Sequence, residues 1–187
     1  MNKRIVLFLA ILTLSLAASA TTVDMQFNGP VGGSYNGVYT YPYDVSVDGQ
    51  SQLLMCIGYN EHITNGETWQ ATVESITGLQ DEQLAWLYVQ ASQTNDSGVQ
   101  ADINAAAWFL NEGTPELSDA AKYWYDQAIN QNFTSDEFKN VLKYVPVDGT
   151  QSWQGEMPQT FLGSTPEPST LTLFGSSLLA IWRMRRA

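Results

Sequence analysis

The chain has 187 residues, 44% of them apolar, with 19 acidic and eight basic side chains and a formal net charge of −11. Five of the eight bases, Lys3, Arg4, Arg183, Arg185 and Arg186, sit at the two ends, so the stretch between carries 18 acids against three lysines, a charge of about −15. That balance excludes nucleic acid and anionic lipid as partners of the middle of the chain; the single cysteine excludes an internal disulfide, and the single histidine a multi-histidine zinc site.

Residues 1–20 have the three parts of a secretory signal peptide. Lys3 and Arg4 form the charged region, Ile5 to Leu16 the apolar region, and Ala18-Ser19-Ala20 a small-residue cleavage site. Export through the Sec machinery follows, with a mature domain over 21–162.

In that domain a strand-rich half precedes a helical half. Asp44 to Val47 alternates polar and apolar, Gln52 to Ile57 is an apolar run, and Asp48-Gly49 between them predicts a hairpin. Trp69, Ala71 and Val73 alternate with polar residues as another half-buried strand. The period then changes to that of a helix. Leu84, Leu87, Tyr88 and Ala91 share one face, as do Val99, Ile103, Ala106, Ala107 and Leu110, with Asp96 or Ser97 as an N-cap and Gly113 as a stop. A third helix from Ser118 presents Ala121, Trp124, Ala128 and Ile129. Strand returns over Val141 to Val147 and near Gln159 to Leu162, and Gly163 to Pro168 has the composition of a linker. The expected fold is α+β: a β-sandwich-like sheet region packed with about three helices.

The end of the chain is tripartite. Pro166-Glu167-Pro168 precedes an apolar stretch from Leu171 to Trp182, and Arg183, Arg185 and Arg186 follow. As a helix those 12 apolar residues would span about 18 Å against a hydrocarbon thickness of roughly 30 Å, which suits transient membrane insertion better than a permanent anchor. The trailing arginines would hold that end on the cytoplasmic side. This order resembles the PEP-CTERM sorting signal of Gram-negative bacteria that make extracellular polysaccharide. The resemblance implies cutting at or near the Pro-Glu-Pro box by a membrane-embedded exosortase, and delivery to the cell surface or extracellular matrix.

A second resemblance lies inside the domain. Leu54-Met55-Cys56-Ile57, followed by Ile103-Asn104-Ala105-Ala106-Ala107-Trp108, is similar to the cysteine strand and Thr-Gln-x-Ala-Ile-Trp helix of bacterial surface thioester domains. Val145-Pro146-Val147 and Met157-Pro158-Gln159 match the ending seen in PEP-CTERM proteins with that arrangement. In such domains the cysteine condenses with a glutamine amide, losing ammonia. Here the glutamine position holds Asn104, one methylene shorter, while Gln100 stands one turn earlier. The resemblance implies that Cys56 and Asn104 face each other beside Trp108, as a working or a vestigial thioester site. Read from the residues alone, Cys56 is a small hydrophobe in an apolar strand, and Trp108 packs a helix on a sheet.

Other chemistry is sparse. A Cys56–His62 nucleophilic pair needs both groups in hydrogen-bond reach, but His62 sits in a polar loop. Asp81-Glu82 and Asp136-Glu137 have the look of paired glycosidase carboxylates, but both are expected at helix starts, where acids favour the dipole. Trp69 and Trp153 are the tryptophans expected to be exposed and available for exopolysaccharide. No catalytic residues, metal or cofactor are expected, and the chain reads as a non-enzymatic surface or matrix protein. The alternatives are a covalent adhesin using Cys56 and a carbohydrate-binding module.

Overall fold

Thr21–Pro30 alternates so that Val23, Met25 and Phe27 point one way and Thr22, Asp24 and Gln26 the other. In the computed structural model, which describes residues 21–134, 136–147 and 157–165, this is the longest strand, β1. Sequence reasoning passed over it. The strands that follow are β2 (Ser34–Tyr35), β3 (Val38–Tyr39), β4 (Tyr43–Val47), β5 (Gln50–Cys56) and β6 (Thr68–Ser75). Three helices come next, α1 (Leu79–Ser92), α2 (Ser97–Glu112) and α3 (Asp119–Ile129), then β7 (Val141–Pro146) and β8 (Phe161–Ser164).

The fold is α+β, with three helices against a six-stranded sheet. The sheet is not two stacked layers. Its strands run antiparallel in the order β1-β4-β5-β8-β7-β6 and close as a barrel. Closure leaves no unpaired edge in that sheet, which an exported domain without a disulfide can use against edge-to-edge association. The β4–β5 turn is the expected hairpin, with Asp48 and Gly49 both at positive φ. Gly163 and Ser164, expected in a linker, are the end of β8, paired with Leu142 and Val141.

The interior of the barrel is filled by Met25, Phe27, Tyr43, Val45, Leu54, Cys56, Trp69 and Phe161. Trp69, expected at the surface, is only 5% exposed and stacks on Phe161. The apolar run in β5 has a simple cause. Leu54 and Cys56 face the barrel interior, whereas Met55 and Ile57 face a second core shared with Leu84, Leu87, Ile103 and Ala107 of α1 and α2. A strand covered on both faces loses its alternation.

The helices start and stop as their ends dictate. Asp96 caps α2 by accepting from Gly98 N–H and Val99 N–H, Gly113 ends it in the left-handed region, and Ser118 caps α3 through Ala121 N–H. On α3, Ala121 and Ala128 are buried, but Ile129 is not: it is 40% exposed. Asp81 and Glu82 lie in the first turn of α1 as expected, and Asp81 pairs with Lys143 at 3.0 Å. Asp136 and Glu137 do not start a helix; they belong to the turn that leads into β7.

Candidate functional site

The β4–β5 register runs residue by residue from Val47 opposite Gln50 to Tyr43 opposite Leu54. Two residues further along, the same register would set Tyr41 opposite Cys56, but the pairing stops at Tyr43. The gap is filled from α2. Asn104 Oδ1 accepts from Tyr41 N–H at 2.7 Å, and Asn104 Nδ2 donates to the Cys56 carbonyl at 2.9 Å. The side chain of Asn104 thus continues the ladder between two strands from outside the sheet. It has no solvent exposure, so both of its bonds form where water cannot compete.

Cys56 and Asn104 are therefore neighbours, the juxtaposition that the resemblance to thioester domains implied. The contact runs through the Cys56 backbone. The Cys56 thiol is free, fully buried, and donates to the Gly58 carbonyl at 3.0 Å. Burial pushes its pKa well above the ordinary thiol value; the Trp108 indole N–H and the Gly58 backbone pull the other way, and the nearby Glu61 and Glu112 carboxylates push it up again. The indole N–H favours the thiolate by proximity, yet makes no hydrogen bond of its own. A thiol held neutral is neither a nucleophile nor a metal ligand.

Trp108 is wholly buried, with Tyr59 packed edge-on at a centroid distance of 5.2 Å. Around it lie Tyr35, Ala101, Ala105 and Ala121, so the small residues of α2 and α3 leave room for the indole beside the β2–β3 pair. The loop after β5 is fastened over the thiol from both sides. Asn111 Nδ2 donates to the Ile57 carbonyl at 3.0 Å, and the Glu112 carboxylate accepts from the Tyr59 and Asn60 backbone N–H groups and from Asn60 Nδ2. From the β8 side, Glu61 accepts from Thr160 N–H at 2.9 Å, and Gln159 Nε2 donates to the Glu61 carbonyl at 2.6 Å. Burial, then the Glu112 charge, raise the Glu61 pKa, and the Thr160 bond lowers it. Sequence reasoning missed Tyr41, Glu61, Asn111 and Glu112. The only signal for them was two acids and an amide at loop and helix ends.

The other candidates separate. Gln100 is turned away, donating to the Ala91 and Thr94 carbonyls at the end of α1. His62 is exposed whereas the thiol is buried and already engaged, so the two are not a nucleophile–base pair. Among the described residues no group of three or more His, Cys, Asp or Glu side chains is placed to hold a metal ion, and no helix is long and apolar enough to cross a membrane. Trp153 lies outside the described residues, as do Ala18 and Ala20 at the signal cleavage site and Pro166, Glu167, Pro168, Arg183, Arg185 and Arg186 of the tail.

Residues 164–186 match the PEP-CTERM protein-sorting motif. The motif marks an exported protein sorted to the cell surface through processing by an exosortase. No curated protein matches the chain. Among solved structures, the N-terminal thioester domain of a surface protein from Clostridium perfringens is similar, at 11% identity and a TM-score of 0.45, over 76% of this chain and 98% of that one.

Proposed function

We propose that this chain is a non-enzymatic component of the cell surface or extracellular matrix, exported by the Sec machinery and released or transferred by an exosortase at its C-terminal tail. The observation that carries the reading is the sorting motif over 164–186, joined to a domain whose one candidate reactive group is shut. Thioester formation would need the Cys56 thiolate to attack the side-chain carbonyl carbon of residue 104 as the C–N bond breaks and ammonia leaves. Here both polar atoms of that amide are engaged by backbone, and the thiol is buried, neutral and bonded to Gly58. Asn104 acts instead as a structural lock, tying α2 to the Tyr41 and Cys56 segments.

The test is intact-mass and terminal sequencing of protein recovered from the medium. The expected product begins near Thr21, lacks Leu171 to Ala187, and shows no loss of ammonia. Secreted protein that keeps Arg185 and Arg186 sinks the sorting reading, and a chain lighter by one ammonia sinks the lock in favour of the covalent adhesin.

A second reading, contact with exopolysaccharide, draws support from one strip of surface. Tyr123 is 56% exposed, its ring centroid lies 5.4 Å from Trp124, and Trp124 lies 6.2 Å from Trp86, so aromatic faces run across α3 and α1. Such rings present apolar area with little entropy to lose. Retention of the purified protein on the host's polysaccharide, lost on Tyr123→Ala, is the result expected; equal retention of the variant removes this strip from the account.

A further inference from the structure

The last barrel strand and the sorting motif overlap. Ser164 is still paired with Val141, Thr165 N–H still donates to the Asn140 carbonyl at 2.8 Å, and the motif opens at residue 164. From Thr165 to Leu171, where the apolar stretch begins, the chain takes six residue steps, a reach of at most about 20 Å. The headgroup layer alone takes roughly 5–8 Å of it. A ten-residue strand such as β1 is about 33 Å long. With the apolar stretch in the bilayer, the far end of the barrel therefore cannot be the end that meets the membrane. The surface that meets the membrane must include the exit.

Beside that exit lies a cleft of about 460 Å³, bordered by Gln52 and Leu53 of β5, Tyr88 and Ser92 of α1, Tyr41 and Thr165. None of its nine lining residues is charged, in a domain of about −15. Tyr41 and Tyr88 meet edge-to-face, and Leu53 is 50% exposed because the helices cover only the second half of β5. The Asp44 carboxylate borders the cleft, accepting from the lining Ser51 hydroxyl at 2.7 Å, and further charge lies at Asp48 on the β4–β5 turn and in the turn at 136–140.

We propose that this exit face is the surface on which the membrane-embedded sorting protease docks. The inference rests on the exosortase reading above. The tether forces the face into contact range at high effective concentration, so a weak interface suffices. Its amides and hydroxyls offer directed hydrogen bonds that suit a protein surface, whereas one exposed leucine is too little apolar area to enter lipid. The uncharged lining limits the desolvation cost of covering the cleft to the Asp44 carboxylate at its border.

The full-length chain, incubated with its exosortase in vesicles of zwitterionic lipid, provides the test. Leu53→Glu and Gln52→Glu should each slow processing several-fold while leaving thermal unfolding of the domain unchanged, and Gln26→Glu on the outer face of β1 should be processed at the wild-type rate. Processing of Leu53→Glu and Gln52→Glu at the wild-type rate overturns the docking face. So does a defect that appears only when anionic lipid is added, because the lipid surface is then the partner. Failure of the wild-type chain to be processed at all overturns the exosortase reading instead.

Discussion

Asn104→Ala removes the one side chain that joins α2 to both Tyr41 and Cys56. It leaves the Tyr41 N–H and the Cys56 carbonyl buried and without their partner. Each such group costs about 1–3 kcal/mol, and the space left by the amide adds a cavity term, so a loss of about 3–5 kcal/mol is expected. For a domain of this size that is a fall of roughly 10–20 °C in unfolding midpoint. Thermal unfolding of the processed protein by circular dichroism measures it. Asn104→Asp separates lost bonding from lost volume. At neutral pH its carboxylate accepts from Tyr41 but opposes the Cys56 carbonyl. Burial raises the folded-state pKa of that acid, so stability is regained as pH falls and the protonated form can donate. A loss below about 1 kcal/mol for Asn104→Ala refutes the lock. So does a wild-type chain that, once unfolded, yields no titratable thiol.

Glu61 carries a pH prediction. Its folded-state pKa is raised, so the native state holds the proton more tightly than the unfolded chain does. Its contribution is fully present at acid pH below the ordinary carboxylate range and is lost as pH rises through the raised value. Glu61→Gln should flatten that decline, which an unchanged slope of stability against pH in the variant would contradict. Gly32 abuts the same strand segment as the lock. A Cβ there would sit 2.1 Å from the Tyr41 carbonyl oxygen and 2.3 Å from that of Thr40, both backbone atoms that cannot swing aside. Gly32→Ala should cost about 3 kcal/mol or more in urea unfolding, and a variant as stable as wild type shows that the segment yields.

What the sequence disclosed follows the range of the forces involved. Helix ends were legible because Asp96, Ser118 and Gly113 act within one turn of themselves. The Cys56–Asn104 neighbourhood was implied by the resemblance to thioester domains. The bonds within it were not, because the amide reaches a ladder position that only the β4–β5 register defines. Trp69, expected at the surface, is buried in step with Ala71, on the inward face where its alternation with Ala71 and Val73 placed it. Gly163 and Ser164 looked like linker by composition. In the fold Gly163 is a strand residue at a close approach, where a Cβ would lie 2.4 Å from Leu54 Cδ2. Barrel closure is the least legible feature, since β8 joins β5 to β7 across more than a hundred residues of chain on one side.

That closure bears on how an exported domain with one cysteine stays folded. Without a cross-link, the chain depends on contacts that bring distant segments together, and β8 is the shortest strand that closes the ring. Phe161 and Leu162 are both buried on opposite faces of it, one in the barrel and one against the helices, so a four-residue strand ties both cores. Asn104 and the Glu61 and Glu112 carboxylates do the same for the loop beside it. The reactive potential of Cys56 is then what the packing suppresses: the thiol is fully buried beside these ties and bonded to the Gly58 carbonyl, and burial holds its pKa well above the ordinary thiol value.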